Sequence, residues 1–169
     1  MLGNQEILRT KKLALFCSRK CPGNLILKAY DLARSLRDAG TTVISGFHTP
    51  VEKECLRILL RGTQPIIICP ARSIENIRIP SKWRKPIAEG RLLLLSSFEK
   101  KHRRMTAALA EQRNQLIISA ADEVLFIHAA GGSQTEQLAH ANIPQGKTTY
   151  TLNCGENRNL LDAGFQNFS

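Results

Sequence analysis

Residues 113–139 read RNQLIISAADEVLFIHAAGGSQTEQLA, and this stretch decides the fold. It reads as the end of a helix, a strand, a turn of small residues and the start of a second helix. Asp122 and Glu123 open the strand with polar side chains, and Val124, Leu125, Phe126 and Ile127 follow as a continuous apolar run. A strand with apolar residues on both faces is one covered by helices on both sides, as parallel sheets are. Gly131, Gly132, Ser133 and Thr135 then provide backbone room and hydroxyls before residues 136–141 turn helical. A turn at the carboxyl end of a parallel strand aims free N–H groups and a helix dipole at whatever sits there. A glycine turn that binds nothing would look the same, so the rest of the chain has to separate the two readings.

Working outward, the same alternation recurs. Lys12–Ser18 is an apolar run ending in a polar turn, the first strand. Leu25–Ala39 carries Leu25, Ala29, Leu32, Ala33 and Leu36 at helical spacing, with Asn24 as the expected N-cap and Gly40 just past the end. Thr42–Ser45 is a second strand and Pro50–Leu60 a second helix with proline in its first turn. Pro65–Cys69 and Arg91–Ser96 read as third and fourth strands, separated by an irregular segment from Ala71 to Glu89. Met105–Ala120 is a helix, the opening stretch supplies the fifth strand, Thr148–Leu152 a sixth, and Asn157–Ala163 a short closing helix. The expectation is α/β: one doubly wound, mostly parallel, Rossmann-like sheet of about six strands, spanning 1–169 as a single domain. Residues 1–11 read as a lead-in, ordered in part at most, and no accessory domain is expected.

Composition narrows the function classes. The 169 residues are 43% hydrophobic, a globular balance, and no apolar run approaches the ~18 residues of a membrane span. No signal peptide opens the chain, so the expectation is a soluble, cytoplasmic protein. Cys17, Cys21, Cys55, Cys69 and Cys154 are five, an odd number that argues against a disulfide framework. Cys17 and Cys21 have three residues between them, with no second pair at zinc-like spacing, so no metal is expected. Net charge is +10, and residues 72–104 hold ten basic and three acidic side chains, +7 of that total. Polyanions are the natural partners of such a surface, because Lys and Arg contacts to phosphates release counterions.

In open parallel sheets ligands collect beyond the carboxyl ends of the strands. The residues there are Ser18, Arg19 and Lys20, then Ser45, Gly46, Phe47 and His48, then residues 70–73, and finally residues 128–133. This set is rich in hydroxyls, glycines and cations and poor in carboxylates, which disfavours metal-assisted or paired-carboxylate hydrolysis. Neither G-x-G-x-x-G after a strand nor G-x-x-x-x-G-K-[ST] occurs, which disfavours a dinucleotide site and a P-loop. His48 and His128 both stand at strand ends, either as an acid–base pair or as two neutral, hydrogen-bonded imidazoles. Trp83 and Phe98 flank basic residues, either as base-stacking platforms or as anchors in the packing.

The segments LALFCSRKCPG, GTTVISGFHTPVEKECLRILLRG, RNQLIISAADEVLFIHAAGGSQTEQLAHA and GENRNLLDAGF occur in an order and spacing that resembles the DNA-processing protein DprA (Smf) family. The likeness runs from about residue 12 to 165. Its most specific pieces are Ser18-Arg19, Ser45-Gly46, Arg113-Asn114, the Gly132-Ser133-x-Thr135 turn, and Gly155, Asn157, Leu160, Leu161 and Gly164. The family is a Rossmann-like branch related to the lysine-decarboxylase-like (LOG) nucleotide-binding proteins. The resemblance implies a homodimeric protein that binds single-stranded DNA without cutting it and helps load a RecA-type recombinase in natural transformation; no cofactor is expected.

Carried over, the likeness implies that Ser18 and Arg19, with Lys20 beside them, contact phosphate and that Ser45 and Gly46 shape the pocket floor. It implies that Arg113 and Asn114 brace the site from the preceding helix. Gly131, Gly132, Ser133 and Thr135 would offer N–H and hydroxyl donors. Several positions depart from the family pattern. Cys17 stands where a glycine is usual, residues 48–52 replace small residues and a Gly-Ile-Asp triplet, and His128 replaces an acid. The turn also resembles the P-G-G-x-G-T-x-x-E motif of LOG-type phosphoribohydrolases. Here Ala130 replaces the Pro, Gln134 the third Gly and Leu138 the catalytic Glu, which leaves a nucleotide-binding or nucleotide-processing protein as the alternative.

Overall fold

The computed structural model describes residues 1–142 and 146–168. The strands are β1 (Leu2–Gly3), β2 (Lys12–Cys17), β3 (Thr42–Ser45), β4 (Ile66–Ile68), β5 (Leu92–Leu94), β6 (Glu123–His128), β7 (Thr148–Thr151) and β8 (Gln166–Asn167). The helices are α1 (Gly23–Asp38), α2 (Pro50–Leu59), α3 (Ser81–Ala88), α4 (Ala107–Ala120), α5 (Gln134–Asn142) and α6 (Arg158–Asp162). All the strands join one sheet in the order β1-β5-β4-β3-β2-β6-β7-β8. Every pairing is parallel except that of β1 with β5. The chain therefore winds outward from β2 to β5, returns, and winds the other way from β6. The reversal falls between β2 and β6.

Side chains alternate across the strands and so split the core into two layers. On one side Leu13, Leu15, Val43, Ile66 and Ile68 pack against Leu25, Ala29 and Ala33 of α1 and Val51, Cys55 and Leu59 of α2. On the other, Ala14, Phe16, Ile44, Ile67 and Phe126 pack against Ile117 and Ile118 of α4, Leu138 of α5 and Leu160 of α6. Phe16 and Phe126 stack at 5.2 Å between the two central strands. Burying each such side chain contributes roughly 1.5–3 kcal/mol, so this double layer is the main source of stability.

Four expectations need correction. Among the described residues the sheet has eight strands rather than about six, because two-residue strands close both of its edges. Residues 1–11 are not a loose lead-in: β1 pairs with β5, a 3-10 turn spans Gln5–Arg9, and Ile7 is buried. The irregular segment contains α3, despite Pro86 within it, and Trp83 packs from that helix onto the core. Finally, α1 starts behind Pro22, and the Asn24 side chain instead donates to Glu156 Oε1 at 2.6 Å. The opposite, amino-terminal end of the sheet is tied by paired charges. Lys12 Nζ lies 3.1 Å from Asp122, and Lys147 Nζ caps the last carbonyls of α4 at Ser119 and Ala121.

Candidate nucleic-acid interface

A cleft of about 660 Å³ opens over the carboxyl ends of β2 and β6, where the winding of the sheet reverses. That is the position at which doubly wound sheets receive ligands, because the two adjoining loops diverge there. Its walls are the loop after β2, the turn after β6, the start of α2 and one face of α4. Of the residues expected to form a site, Ser18, Arg19, Lys20, Arg113, Asn114, Gly131, Gly132, Ser133 and Thr135 line it together. Ser45 and Gly46 do not. Ser45 is fully buried and accepts the Phe47 N–H at 3.1 Å, while Gly46 lines an adjoining hollow of about 390 Å³.

The β6 wall is held by serines. Ser18 Oγ accepts the Ala130 N–H at 2.9 Å and lies 3.2 Å from Ser133 Oγ. Ser133 Oγ in turn accepts the Glu136 N–H at 3.2 Å, the N-cap bond that starts α5. Gly132 sits at φ +73, a conformation that side chains with a Cβ rarely adopt, and its N–H donates to Glu136 Oε2 at 2.7 Å. The Glu136 carboxyl is held below its usual range, chiefly by Asn159 and then by the Gly132 N–H. An internal carboxylate thus takes one donor of the turn. The N–H groups of Gly131, Gln134 and Thr135 have no acceptor among the described residues.

The opposite wall rests on Glu52, a residue that the strand-end reading passed over. Its buried carboxylate accepts three backbone N–H bonds, from Cys17 at 3.0 Å, His48 at 2.8 Å and Thr49 at 3.2 Å. It joins the end of β2 to the loop after β3 and closes a capping box with Thr49 at the start of α2. The sequence signal was present in Thr49-Pro-Val-Glu52, the S/T-x-x-E pattern. Burial pushes its acidity toward weaker acid, opposed by the three N–H bonds and by Arg113.

Arg113 is buried beneath the cleft, with Nε donating to Asn114 Oδ1 at 2.8 Å and Nη1 to the Cys69 carbonyl at 3.3 Å. Its guanidinium lies so close over Gly46 that any Cβ there would overlap it. Burial lowers its pKa, and Glu52 opposes that shift. The next residue, Phe47, is buried at φ +46, a strained conformation for an aromatic residue.

The two histidines part company. The His128 ring is buried and pairs through Nδ1 with Asn157 Oδ1 at 2.8 Å; it does not line the cleft. Asn157 also donates to the Ile127 and Leu152 carbonyls, so the pair ties β6 to β7. His48 lines the cleft. Its pKa is lowered, first by burial and then by the positive charges of Arg113, Lys53 and Arg19.

The basic segment divides. Arg72, Arg103 and Arg104 line the hollow beside the cleft together with Gly46, His48, Met105 and Arg113. His48, Met105 and Arg113 are shared with the cleft itself. Arg72 and Arg103 continue into a third depression with Arg78 and Lys100. Lys82, Arg84 and Lys85 instead ride on α3, and Arg91 is paired with Glu89 at 2.9 Å. Among the described residues, Arg19, Lys20, Lys53, Arg72, Arg78, Lys100, Arg103 and Arg104 have no carboxylate partner within 4.0 Å. The described helices include none long and apolar enough to cross a membrane, and the described residues hold no cluster of three or more metal-ligating side chains.

Solved structures share this architecture. DNA processing protein A from Helicobacter pylori, studied for its single-stranded DNA binding mode, matches with a TM-score of 0.79 at 23% identity, covering 98% of this chain and 79% of that one. DNA processing protein A from Streptococcus pneumoniae gives 0.80 at 15% identity, covering 99% of this chain and 61% of that one. The molybdenum cofactor binding protein from Rippkaea orientalis gives 0.65 at 12% identity, covering 95% of this chain and 90% of that one. At such identities the likeness is one of fold. No curated protein sequence matches. The sequence profile of the DNA recombination-mediator protein A family matches residues 1–163, and the chain belongs to that family.

Proposed function

We propose that this protein binds single-stranded DNA, seating backbone phosphates in the cleft at the β2–β6 reversal. The observation that carries the reading is the continuity of unpaired cations from Arg19, Lys20 and Lys53 past His48 and Met105 to Arg72, Arg103 and Arg104. A single phosphate needs one such group, whereas a row of them across three adjoining hollows suits a polyanion. Exposed Met105 stands where the cleft and the neighbouring hollow meet, an apolar surface on which a base can rest. The H. pylori relative's single-stranded DNA binding agrees with this reading.

Binding without bond cleavage is part of the proposal. The two carboxylates nearest the turn and the loop are already committed, Glu52 to three N–H groups and Glu136 to Gly132 and Asn159. Neither is free to serve as a general base. Family resemblance adds a homodimer and delivery of DNA to a RecA-type recombinase as further elements of the proposal; light scattering and recombinase-loading assays check them.

The cleft volume also fits a small nucleotide, since such sites measure roughly 300–1,000 Å³. Competition separates the two. Fluorescent oligo-dT is bound to the protein and challenged with nucleoside monophosphates and with unlabelled oligo-dT. Displacement by the oligonucleotide alone at comparable nucleotide concentration supports the strand-binding reading. Displacement by a monophosphate, or absence of oligo-dT binding at low salt, would overturn it.

A further inference from the structure

Glu136 brings a fixed negative charge to a turn that otherwise suits anions. It stands in the first turn of α5, with its side chain 19% exposed, just behind the residues that line the cleft. Its Oε2 accepts the Gly132 N–H at 2.7 Å, and its Oε1 accepts from Asn159 Nδ2 of α6. Asn159 is itself anchored to the Ala129 carbonyl at 3.0 Å, beyond the end of β6. The carboxylate is thus clamped from two sides. Its ion-pair partner is His140, with Nε2 at 4.0 Å, rather than a lysine or arginine. The bonds from Asn159 and then Gly132 favour its ionised form. An acid here serves the start of α5, and its consequence for a ligand follows from distance.

We propose that Glu136 sets the charge selectivity of the turn, biasing it toward singly charged phosphodiesters and against doubly charged phosphate monoesters. The inference rests on the strand-binding reading and says which phosphates that site takes, those inside a strand rather than free nucleotides.

The N–H groups of Gly131, Gln134 and Thr135 lie free beside that of Gly132. A phosphate held on them stands roughly 6–8 Å from the Glu136 carboxylate, two hydrogen bonds and a peptide step away. That is inside the ~10 Å Debye length at 0.1 M salt, so much of the repulsion survives screening. It acts on one charge in a phosphodiester and on nearly two in a monoester, whose second ionisation falls near pH 6. Arg19 and Lys20 attract both forms, but their side chains are exposed and mobile in water, whereas the Glu136 carboxylate is held in place. Removing its charge therefore strengthens monoester binding about twice as much, on a logarithmic scale, as phosphodiester binding.

Thymidine 5′-monophosphate and its methyl ester differ by one charge and provide the test. Each is titrated into the whole protein at about pH 7.5, above the second phosphate ionisation, with oligo-dT as a third ligand. Backbone amide shifts of residues 131–135 report binding by NMR. Glu136→Gln keeps an oxygen for the Gly132 N–H and removes the charge. It should bind the methyl ester and oligo-dT about threefold more tightly than the parent, and the monophosphate about tenfold more tightly. Glu136→Asp shortens the side chain and keeps the charge, so its ratio between the two esters should stay near the parent's. Equal gains for the two esters, no gain, a Glu136→Asp ratio that follows Glu136→Gln, or no shift at the turn with either ester would each overturn the selectivity. Oligo-dT that shifts the turn while the esters behave alike overturns only this inference. Oligo-dT that shifts nothing overturns the strand-binding reading beneath it.

Discussion

The two halves of the basic face are built on opposite principles. Around β2, β3 and β6 the polar groups are buried and bonded: Glu52 holds three N–H groups, Ser18 holds the Ala130 N–H, and Arg113 is clamped over Gly46. Along residues 71–78 and 96–104 the cations are exposed, and Arg72, Arg78, Lys100, Arg103 and Arg104 have no carboxylate partner among the described residues. The loops there are tied by backbone bonds such as Ser73 N–H to the His102 carbonyl at 2.8 Å and by side-chain bonds such as Ser96 Oγ to the Arg72 carbonyl at 2.8 Å. The first region fixes geometry and the second supplies charge. Substitutions in the first should therefore cost stability, and those in the second should change salt dependence with little effect on folding.

The largest effect is expected at Glu52. Glu52→Ala strands three N–H donors, one buried and two part-buried, and each buried unsatisfied donor costs about 1–3 kcal/mol. For a chain of this size the melting temperature should fall by roughly 10 °C. Glu52→Gln, which keeps one carbonyl oxygen but turns an amide toward a donor, should fall between it and the parent. An unchanged melting temperature in both would remove the distinction between the two regions.

Next comes Gly46→Ala. The added methyl displaces Arg113 from the Cys69 carbonyl, an overpacking cost of about 1–3 kcal/mol. Thermal denaturation with oligo-dT titration should show lower stability and weaker binding together. Weaker binding at full stability would place Arg113 in contact with ligand rather than beneath it.

The smallest effect concerns His48, which sharpens the boundary between the regions. Its pKa is depressed, so in the free protein it favours folding above the ordinary imidazole range near 6.5, and that advantage fades as pH falls below it. A bound phosphate offsets Arg113, Lys53 and Arg19 and raises the pKa again. Binding then takes up a proton, and affinity for oligo-dT should rise about two- to threefold between pH 7 and 5.5. His48→Gln should be flat over that range. The same rise in the variant would assign the proton to another group.

Legibility in the sequence followed the kind of signal each element carries. Strands β2, β3 and β6 announced themselves as apolar runs because both of their faces are covered. Strands β1 and β8 are two residues each and carry only backbone pairing, which leaves no side-chain period to read. The helix α3 was hidden by Pro86, which is buried within its last turn. Within the cleft, Arg19, Ser133 and Thr135 were readable from their place at strand ends. Glu52 was readable only as the capping-box acid of α2, since its bond to the Cys17 N–H joins residues 35 apart in sequence. Ser45 was read as shaping the pocket floor; it is fully buried, and its bond to the Phe47 N–H supports a strained turn beneath the cleft.

The central claim is that the exposed cations of 72–104 and the cleft cations serve one bound strand. The direct measurement is oligo-dT affinity over a salt series for the parent, Arg19→Ala and the double variant Arg103→Ala/Arg104→Ala. The account predicts a steep negative slope of log affinity against log salt, reduced by roughly 0.7 for the single and about 1.4 for the double variant, with melting temperatures unchanged. A double variant that keeps the parent slope while Arg19→Ala loses it would confine binding to the cleft and contradict a shared strand.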